Sequence, residues 1–228
     1  MCCNVQLPSE GTLMKLRTTI TKLAAAVFAG AMATGLAVAP AQAAPGEQSL
    51  AAVLTAHGNG TFDHNWRDYD IVTQAVIAVV AAKPHSKVKL LTDGSVALTA
   101  FIPNDRAFRL LAHAITHKWY STEKKVFDKL VSKLGVDAIE KVLLYHVVPG
   151  GPILAKDALK ANGAKLATAL PGASITVQVK GYYVPVIILR DRDYNAYNAR
   201  VNPWATDINE GNKQIAHGIT RVLRPINL

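Results

Sequence analysis

The sequence predicts an α+β domain, on three observations. Half of the 228 residues are hydrophobic and only 18% are charged, a balance typical of a folded globular protein. Apolar residues recur at spacings of three and four through the middle of the chain, which indicates helices. They alternate in the C-terminal half, which indicates strands. Helices and strands therefore occupy separate stretches, unlike the regular alternation of a βαβ protein.

The N-terminus has the pattern of a secretory signal peptide. Lys15, Arg17 and Lys22 precede an apolar run from Leu23 to Ala39, and a small-residue cleavage site ends at Ala43. An uncleaved membrane anchor is the weaker alternative, because the run is mostly alanine and glycine and leads directly into that site. We expect residues 1–43 to be removed, leaving a secreted chain that is not transmembrane.

The residues before Met14 add nothing to this export pattern, so Met14 is an alternative start. Cys2 and Cys3 both lie in that leading stretch, so the exported chain has no cysteine. This excludes a disulfide framework, a thiol nucleophile and cysteine as a metal ligand.

The net charge of +9 favours anionic partners, whereas the scattered basic residues carry no nucleic-acid recognition motif.

After the signal peptide, residues 44–67 are predicted to form an N-terminal arm or short helix. The segment 69–82 is predicted to be a buried helix, with Asp68 or Asp70 at its N-cap, and Lys83 and Pro84 end it.

The next segments, Val88–Leu91 and Val96–Ile102, flank a tight turn and predict a hairpin, or at least a strand after that turn. Asn104 is predicted to cap a helix that runs to about Trp119, with Asp105 in its first turn.

Two further helices follow, over residues 121–134 and from Asp137 to about Tyr145, with Gly135 as the C-cap of the first. Two alternating strands follow around residues 175–179 and 184–188, with a turn at Lys180 and Gly181, and residues 214–225 are predicted to be a closing strand.

Three stretches in order resemble the fasciclin domain: Ala97–Phe108, Val142–Gly150 and Ile219–Pro225. In that family the first is a strand, a proline and a capped helix, the second a tyrosine-histidine motif, and the third the closing strand. The resemblance implies a domain over residues 68–228 in which a small β-structure is wedged against a helical layer. It also implies an extracellular adhesion or binding module, with no established catalytic set.

The resemblance gives Tyr145 and His146 two interpretations: a partner-binding motif, or a structural pair whose hydrogen bonds hold the helix end to the sheet. The structural interpretation is favoured, because a tyrosine or histidine in an apolar stretch usually finds a buried partner for its polar tip. We keep both residues as candidate partner-binding residues.

A second candidate surface lies in the connection after residue 190, which is rich in aromatic residues and arginine. Its candidate partner-binding residues are Arg192, Tyr194, Tyr197 and Trp204. Exposed aromatic rings beside arginine stack on sugars or anchor protein partners. The alternative is that some of these rings belong to the core.

Catalytic motifs of the common hydrolases, nucleotide-binding proteins and zinc proteases do not occur in the sequence. His113 and His117 lie four residues apart on one helix, yet no third metal ligand is near in sequence. Asp191, Asp193 and Asp207 could serve as paired carboxylates for glycoside hydrolysis, with His217 as a further member of a cleft, but a salt-bridged surface loop is the favoured interpretation. No cofactor and no metal are predicted.

The sequence therefore predicts a secreted, non-enzymatic adhesion module that binds an extracellular protein or polysaccharide, anionic in character, in the matrix, the cell wall or at the cell surface. A small exported hydrolase or sugar-modifying enzyme is the alternative. A third possibility is a domain that binds a lipid or another hydrophobic small molecule between its helices.

Overall fold

The computed structural model describes residues 46–58 and 60–227. The predicted signal peptide, residues 1–43, lies outside the described residues. Among the helices that are described, none is both long and apolar enough to cross a membrane.

The helices and strands alternate irregularly along the chain. The helices are α1 Leu50–Gly58, α2 Asp70–Ala82, α3 Asp105–Thr116, α4 Glu123–Tyr145 and α5 Ala155–Ala158. The strands are β1 Leu98–Pro103, β2 Val147–Pro149, β3 Lys165–Ala167, β4 Ser174–Lys180, β5 Val186–Arg190, β6 Ala199–Arg200 and β7 Gln214–Ile219.

The strands form two sheets. The first has the order β2-β1-β7, in which β1 pairs antiparallel with β2 and parallel with β7. The second is antiparallel throughout, with the order β3-β4-β5-β6. All six positions of both β1 and β7 are buried. The α+β prediction is confirmed.

Strand β1 separates two apolar cores, because successive side chains of a strand point to opposite faces. Leu98, Ala100 and Ile102 belong to the core built with the helices. Phe101 belongs to the other core, which includes Ile175 of β4 and residues of β5 and β7. The first sheet therefore contributes to both cores, the helical one and the one it shares with the second sheet.

The segment predicted as an arm or short helix contains α1, whose Leu50 and Leu54 are buried in the same core as α2. The chain just before α1 also passes close to Gly94, where an added Cβ would lie 1.7 Å from the carbonyl oxygen of Glu47. Glycine at this position therefore permits a close approach of two backbones.

The predicted hairpin is absent because Val88–Leu91 is not a strand, whereas the alternative, a strand after the turn, is present as β1. Residues Lys87–Thr92 form a 3₁₀ helix, which Ser86 caps by accepting a hydrogen bond from the Val88 N–H at 3.1 Å. The two buried residues of this segment, Val88 and Leu91, are three positions apart. That spacing places both on one side of a 3₁₀ helix, whereas in a strand they would point to opposite faces.

Helices α2 and α3 begin much as predicted, but the cap of α2 differs. Asn104 caps α3, since its side-chain oxygen accepts the Ala107 N–H at 3.0 Å. Neither Asp68 nor Asp70 caps α2. The buried carboxylate of Asp105 does so instead, accepting the N–H groups of Asp70 at 3.2 Å and Ile71 at 2.9 Å.

The two helices predicted over residues 121–145 form α4, interrupted at Gly135, where φ is 72° and ψ is 166°. The preceding helix, α3, ends at Thr116, so Trp119 lies beyond it and is exposed. The closing strand ends at Ile219, earlier than predicted.

Gln214 at the start of β7 connects three parts of the chain through a fully buried amide. Its oxygen accepts the Leu50 N–H at 2.8 Å, and its nitrogen donates to the carbonyl oxygens of Leu90 at 2.8 Å and Asp93 at 2.7 Å. One side chain thus joins α1, the 3₁₀ helix and the first sheet.

Tyr145 and His146 at the end of α4 are buried and hydrogen-bonded inside the protein. The Tyr145 hydroxyl donates to the Ser174 carbonyl at 2.9 Å. The His146 Nδ1 lies 2.7 Å from the Val142 carbonyl, and its Nε2 accepts the Leu223 N–H at 2.9 Å. The suggestion that they contact a partner at the surface is therefore corrected, because both side chains connect the helix end to other elements.

We predict that Gln214→Ala lowers the free energy of unfolding by about 3 kcal/mol, because it leaves the buried Leu50 N–H without a partner and removes the hydrogen bonds to the Leu90 and Asp93 carbonyls. Urea unfolding of the purified protein measures this loss. The exposed Gln48 provides a matched control, and Gln48→Ala should change the free energy by less than about 0.5 kcal/mol. Equal effects of the two changes would contradict the structural role of Gln214.

A second prediction concerns acidification. Burial lowers the pKa of His146 to about 4, from 6.5. Between these values the unfolded chain binds a proton that the folded protein does not, so stability falls as the pH is lowered from 6.5 towards 4, by up to about 3 kcal/mol for this residue.

The measurement is the free energy of unfolding as a function of pH for the wild type and for His146→Gln. Other groups titrate in the same window, with burial also lowering the pKa of His217 and raising that of Asp70 to about 6. The difference between the two proteins isolates His146. The wild type should lose more stability on acidification, and parallel pH profiles would refute the assignment.

Candidate binding surface

The second sheet has one apolar and one polar face. The side chains of Val177 on β4 and Leu189 on β5 are buried in the core. The alternate positions point the other way, and the register places Gln178 of β4 beside Ile188 of β5, which in turn pairs with Arg200 of β6. A row of partly exposed side chains therefore crosses three strands on the outer face.

A cleft of about 500 Å³ lies over this outer face. Its other wall is formed by the start of α3 and by the segment after β7. Four cationic side chains line the cleft, namely Arg106, Lys180, Arg200 and Arg221. The remaining lining residues are mostly neutral and polar, and they include Gln178, Asn198, Thr220 and Tyr197.

The cations of the cleft have no carboxylate partner. Among residues 46–58 and 60–227, none of Arg106, Lys180, Arg200 and Arg221 forms an ion pair. No aspartate or glutamate lines the cleft. The cleft is therefore a concave surface of one sign of charge, which concentrates anions near it.

Tyr197 places an aromatic ring in the cleft. The ring is 82% exposed, and the Arg221 guanidinium lies 5.1 Å from its centroid. This cation–π contact holds the arginine beside the ring without neutralising its charge.

The other predicted aromatic residues do not line the cleft. Tyr194 is 83% exposed and Trp204 is 94% exposed, so neither belongs to the core. Tyr182 and Tyr183 are exposed at the turn between β4 and β5, where their rings meet edge to face. The aromatic residues thus lie on the surface, but only Tyr197 lines the basic cleft.

Arg192 donates a side-chain hydrogen bond to the Gly172 carbonyl and lines a separate cavity of about 200 Å³ near the C-terminus. Tyr145 and His146 lie in the interior, as described above. Of the six predicted partner-binding residues, the structure therefore places one, Tyr197, in the cleft.

The carboxylates considered for glycoside hydrolysis are engaged in internal contacts. Asp193 is buried and pairs with the Arg224 guanidinium at 2.9 Å, whereas Asp191 accepts the Arg224 N–H at 2.8 Å. Asp207 accepts the Ala155 N–H at 2.9 Å. The predicted salt-bridged loop is present, but its arginine partner is Arg224, not one of the neighbouring arginines.

His217 is buried, and its two ring nitrogens contact the Ile153 carbonyl at 2.8 Å and the Asp207 N–H at 3.3 Å. Burial lowers its pKa. Both nitrogens are thus occupied by backbone groups, which is the pattern of a structural histidine.

The histidine pair on α3 does not assemble a metal site. The His113 ring stacks on Trp119 with centroids 4.1 Å apart, and His117 ends the helix in the left-handed conformation. In the described part of the chain, neither belongs to a group of three or more side chains placed to hold one ion.

Sequence reasoning missed Arg106, Lys180 and Arg221 as members of a common surface. They come from α3, β4 and the segment after β7, and only the fold brings them together. The alternation along β4 was the available signal, because it placed Gln178 and Lys180 on the face opposite the buried Ile175 and Val177. The alternation predicted through residues 184–188 was displaced by one residue, since Ile187 and Leu189 are the buried positions of β5.

The chain is similar to a protein family in sequence and to a solved structure. The family model of the Fasciclin domain matches residues 72–225. No match was found among curated proteins. Among solved structures, the chain is similar to a FAS1 domain pair from the insect cell adhesion molecule Fasciclin I, with a TM-score of 0.43 and 16% identity.

That alignment covers 66% of this chain and 44% of the insect chain, so this chain spans less than half of the domain pair. The family match covers more than half of the present sequence and includes α2 to β7. The chain belongs to the Fasciclin domain family.

Proposed function

We propose that this protein is a secreted or surface-attached binding module that holds an anionic polysaccharide in its basic cleft. Fasciclin domains are generally adhesion or binding modules without enzymatic activity, and they are typically extracellular or at the cell surface. The observation that carries the choice of ligand is the set of four unpaired cations around one cleft.

The cations define the charge of the ligand. Arginine presents a planar fork of donors that matches a carboxylate, sulfate or phosphate group. Arg106, Arg200 and Arg221 reach the cleft from three different elements, so they can contact several anionic groups along one extended ligand.

The neutral residues favour a sugar as the carrier of those groups. Gln178 and Asn198 offer amide donors and acceptors suited to hydroxyl groups. The exposed ring of Tyr197 offers an apolar surface on which a sugar ring can stack. A volume of about 500 Å³ is in the range of small-molecule sites and accommodates a short oligosaccharide segment.

The two alternatives have less support. A hydrolase needs two carboxyl groups free to act across a sugar, whereas Asp191, Asp193 and Asp207 all accept internal hydrogen bonds. A lipid binder needs a large apolar cavity, but three cavities lined by residues of the helical core measure about 30, 20 and 200 Å³. All three are smaller than the roughly 300–1,000 Å³ of small-molecule sites.

We predict that the double variant Arg200→Gln, Arg221→Gln binds acidic polysaccharide at least about tenfold more weakly than the wild type, because each charge-assisted hydrogen bond contributes roughly 1.5 kcal/mol or more. Binding of the purified protein to heparin and polygalacturonate, with neutral dextran for comparison, is measured by biolayer interferometry at about 50 and 150 mM salt.

A matched control removes the same charge elsewhere. Lys118 and Lys160 are exposed and do not line the cleft. The double variant Lys118→Gln, Lys160→Gln should keep affinity within about twofold of the wild type. Equal weakening by both double variants would show that net charge alone drives binding, and the proposed cleft would be rejected.

The variant Tyr197→Ala tests the sugar interpretation separately, since it leaves the charge unchanged. A loss of affinity that persists at the higher salt concentration supports stacking on a sugar ring. An unchanged affinity for both polysaccharides would remove the aromatic contribution from the proposal.

A further inference from the structure

Five acidic side chains converge where three helices begin. Asp70, Asp105 and Glu123 are the first residues of α2, α3 and α4, and Asp63 and Asp68 belong to the loop that precedes α2. Three of them, Asp70, Asp105 and Glu123, are buried. Sequence reasoning identified Asp105 only as a capping residue and did not connect these five positions.

The carboxylate oxygens form two groups that share Asp68. One contains Asp63, Asp68 and Glu123, and the other contains Asp68, Asp70 and Asp105, with the oxygens in each group within 4.8 Å of one another. Oxygen ligands at about 2.3–2.6 Å from one Ca²⁺ ion lie at most about 5 Å apart. Each group is therefore compact enough to contact a single ion.

Several of these oxygens are buried without a hydrogen-bond partner. Both oxygens of Asp70, one oxygen of Asp68 and one of Glu123 have none, although Asp70 is completely inaccessible to solvent. Burying an isolated carboxylate has a large unfavourable free energy, so buried charges are normally paired or coordinate a metal. The unpartnered oxygens of Asp70 point to a ligand in its own group of carboxylates.

No basic side chain supplies the missing partner. In the part of the chain that the structure describes, none of the five carboxylates pairs with a lysine, arginine or histidine. The remaining oxygens are used by backbone groups: one oxygen of Glu123 accepts the N–H groups of Asp63 at 2.9 Å and His64 at 3.0 Å.

We propose that the group of Asp68, Asp70 and Asp105 is a calcium site, in which the unpartnered oxygens of Asp68 and Asp70 bind the ion beside the Asp105 carboxylate. The ligands are all carboxylate oxygens, the type that Ca²⁺ prefers, and neither histidine nor cysteine is among them, which disfavours zinc. A bound ion joins the loop before α2 to the first turns of the helices. The site is independent of the basic cleft and of the polysaccharide proposed there.

Calcium binding is tested on the purified full chain, stripped with EDTA and exchanged into chelator-free buffer. Isothermal titration with CaCl₂ should show one ion per chain. Saturating Ca²⁺ should raise the melting temperature by roughly 5 °C or more, because the ion binds the folded state only. MgCl₂ should produce a smaller shift, since Mg²⁺ demands a tighter octahedral geometry.

Asp68→Asn and Asp70→Asn should each abolish the binding heat and the calcium-dependent shift. Asp70→Asn should melt in EDTA at or above the wild-type temperature, because it removes a repelling charge. Glu123→Gln changes the other group of carboxylates and retains an oxygen that can accept the two loop N–H groups, so it should keep the calcium response. Asp128→Asn changes an exposed carboxylate on α4 and should leave the calcium response intact.

Two results would contradict the proposed calcium site, and each has a different meaning. No binding heat and no shift for the wild type would overturn the site and leave a cluster that shares protons. Calcium binding that survives both Asp68→Asn and Asp70→Asn would place the ion elsewhere. Neither result bears on the basic cleft, whose arginine variants are measured without calcium.

Discussion

The carboxylate of Asp105 holds together the first turns of two helices, and the packing of the helical layer depends on it. It accepts two N–H groups of α2, while its own N–H donates to the Asp68 carbonyl at 3.0 Å. The N–H of Arg106 donates in the same way to the Trp66 carbonyl at 2.9 Å. Unsatisfied N–H groups at the start of each helix thus find partners on the other side of the contact.

This reciprocal arrangement brings negative charge into the interior. The positive ends of helix dipoles favour carboxylates at such positions, so each of the acidic residues is locally suitable. Together, however, these carboxylates repel one another, because several of them share a small buried volume. The same interaction that fixes α2 against α3 therefore creates the acidic cluster.

The two faces of the second sheet are under different constraints. Its inner face contributes Ile175, Val177 and Leu189 to a core, and these positions tolerate little change in volume. Its outer face carries Gln178, which is partly exposed, and Arg200, which is exposed. Residues on the outer face can therefore vary without disturbing the core.

Much of the fold could be predicted from the local pattern of apolar and polar residues. Periodicity located α2, α3 and both halves of α4, and Gly135, the predicted C-cap, interrupts α4 with a positive φ. The 3₁₀ helix at Lys87–Thr92 was missed because a segment as short as Val88–Leu91 fits a strand equally well. The cap of α2 could not be predicted, because Asp105 lies 35 positions away from the N–H groups it accepts.

The binding surface was harder to predict than the fold for a related reason. Tyr197 was found because aromatic residues beside arginine are visible in one stretch of sequence. Arg106 and Arg221 lie more than a hundred positions apart and meet only through the tertiary structure. Buried carboxylates such as Asp70 looked like ordinary helix-capping residues, and nothing local indicated that they converge.

The parallel pairing of β1 with β7 has a consequence for how the chain folds. Leu98 pairs with Gln214, so the central strand receives its second neighbour only when the last residues of the domain are available. Contacts between such distant segments form slowly, because a long loop must close first. A chain that is synthesised from its N-terminus therefore cannot complete its central sheet until the residues of β7 have been added.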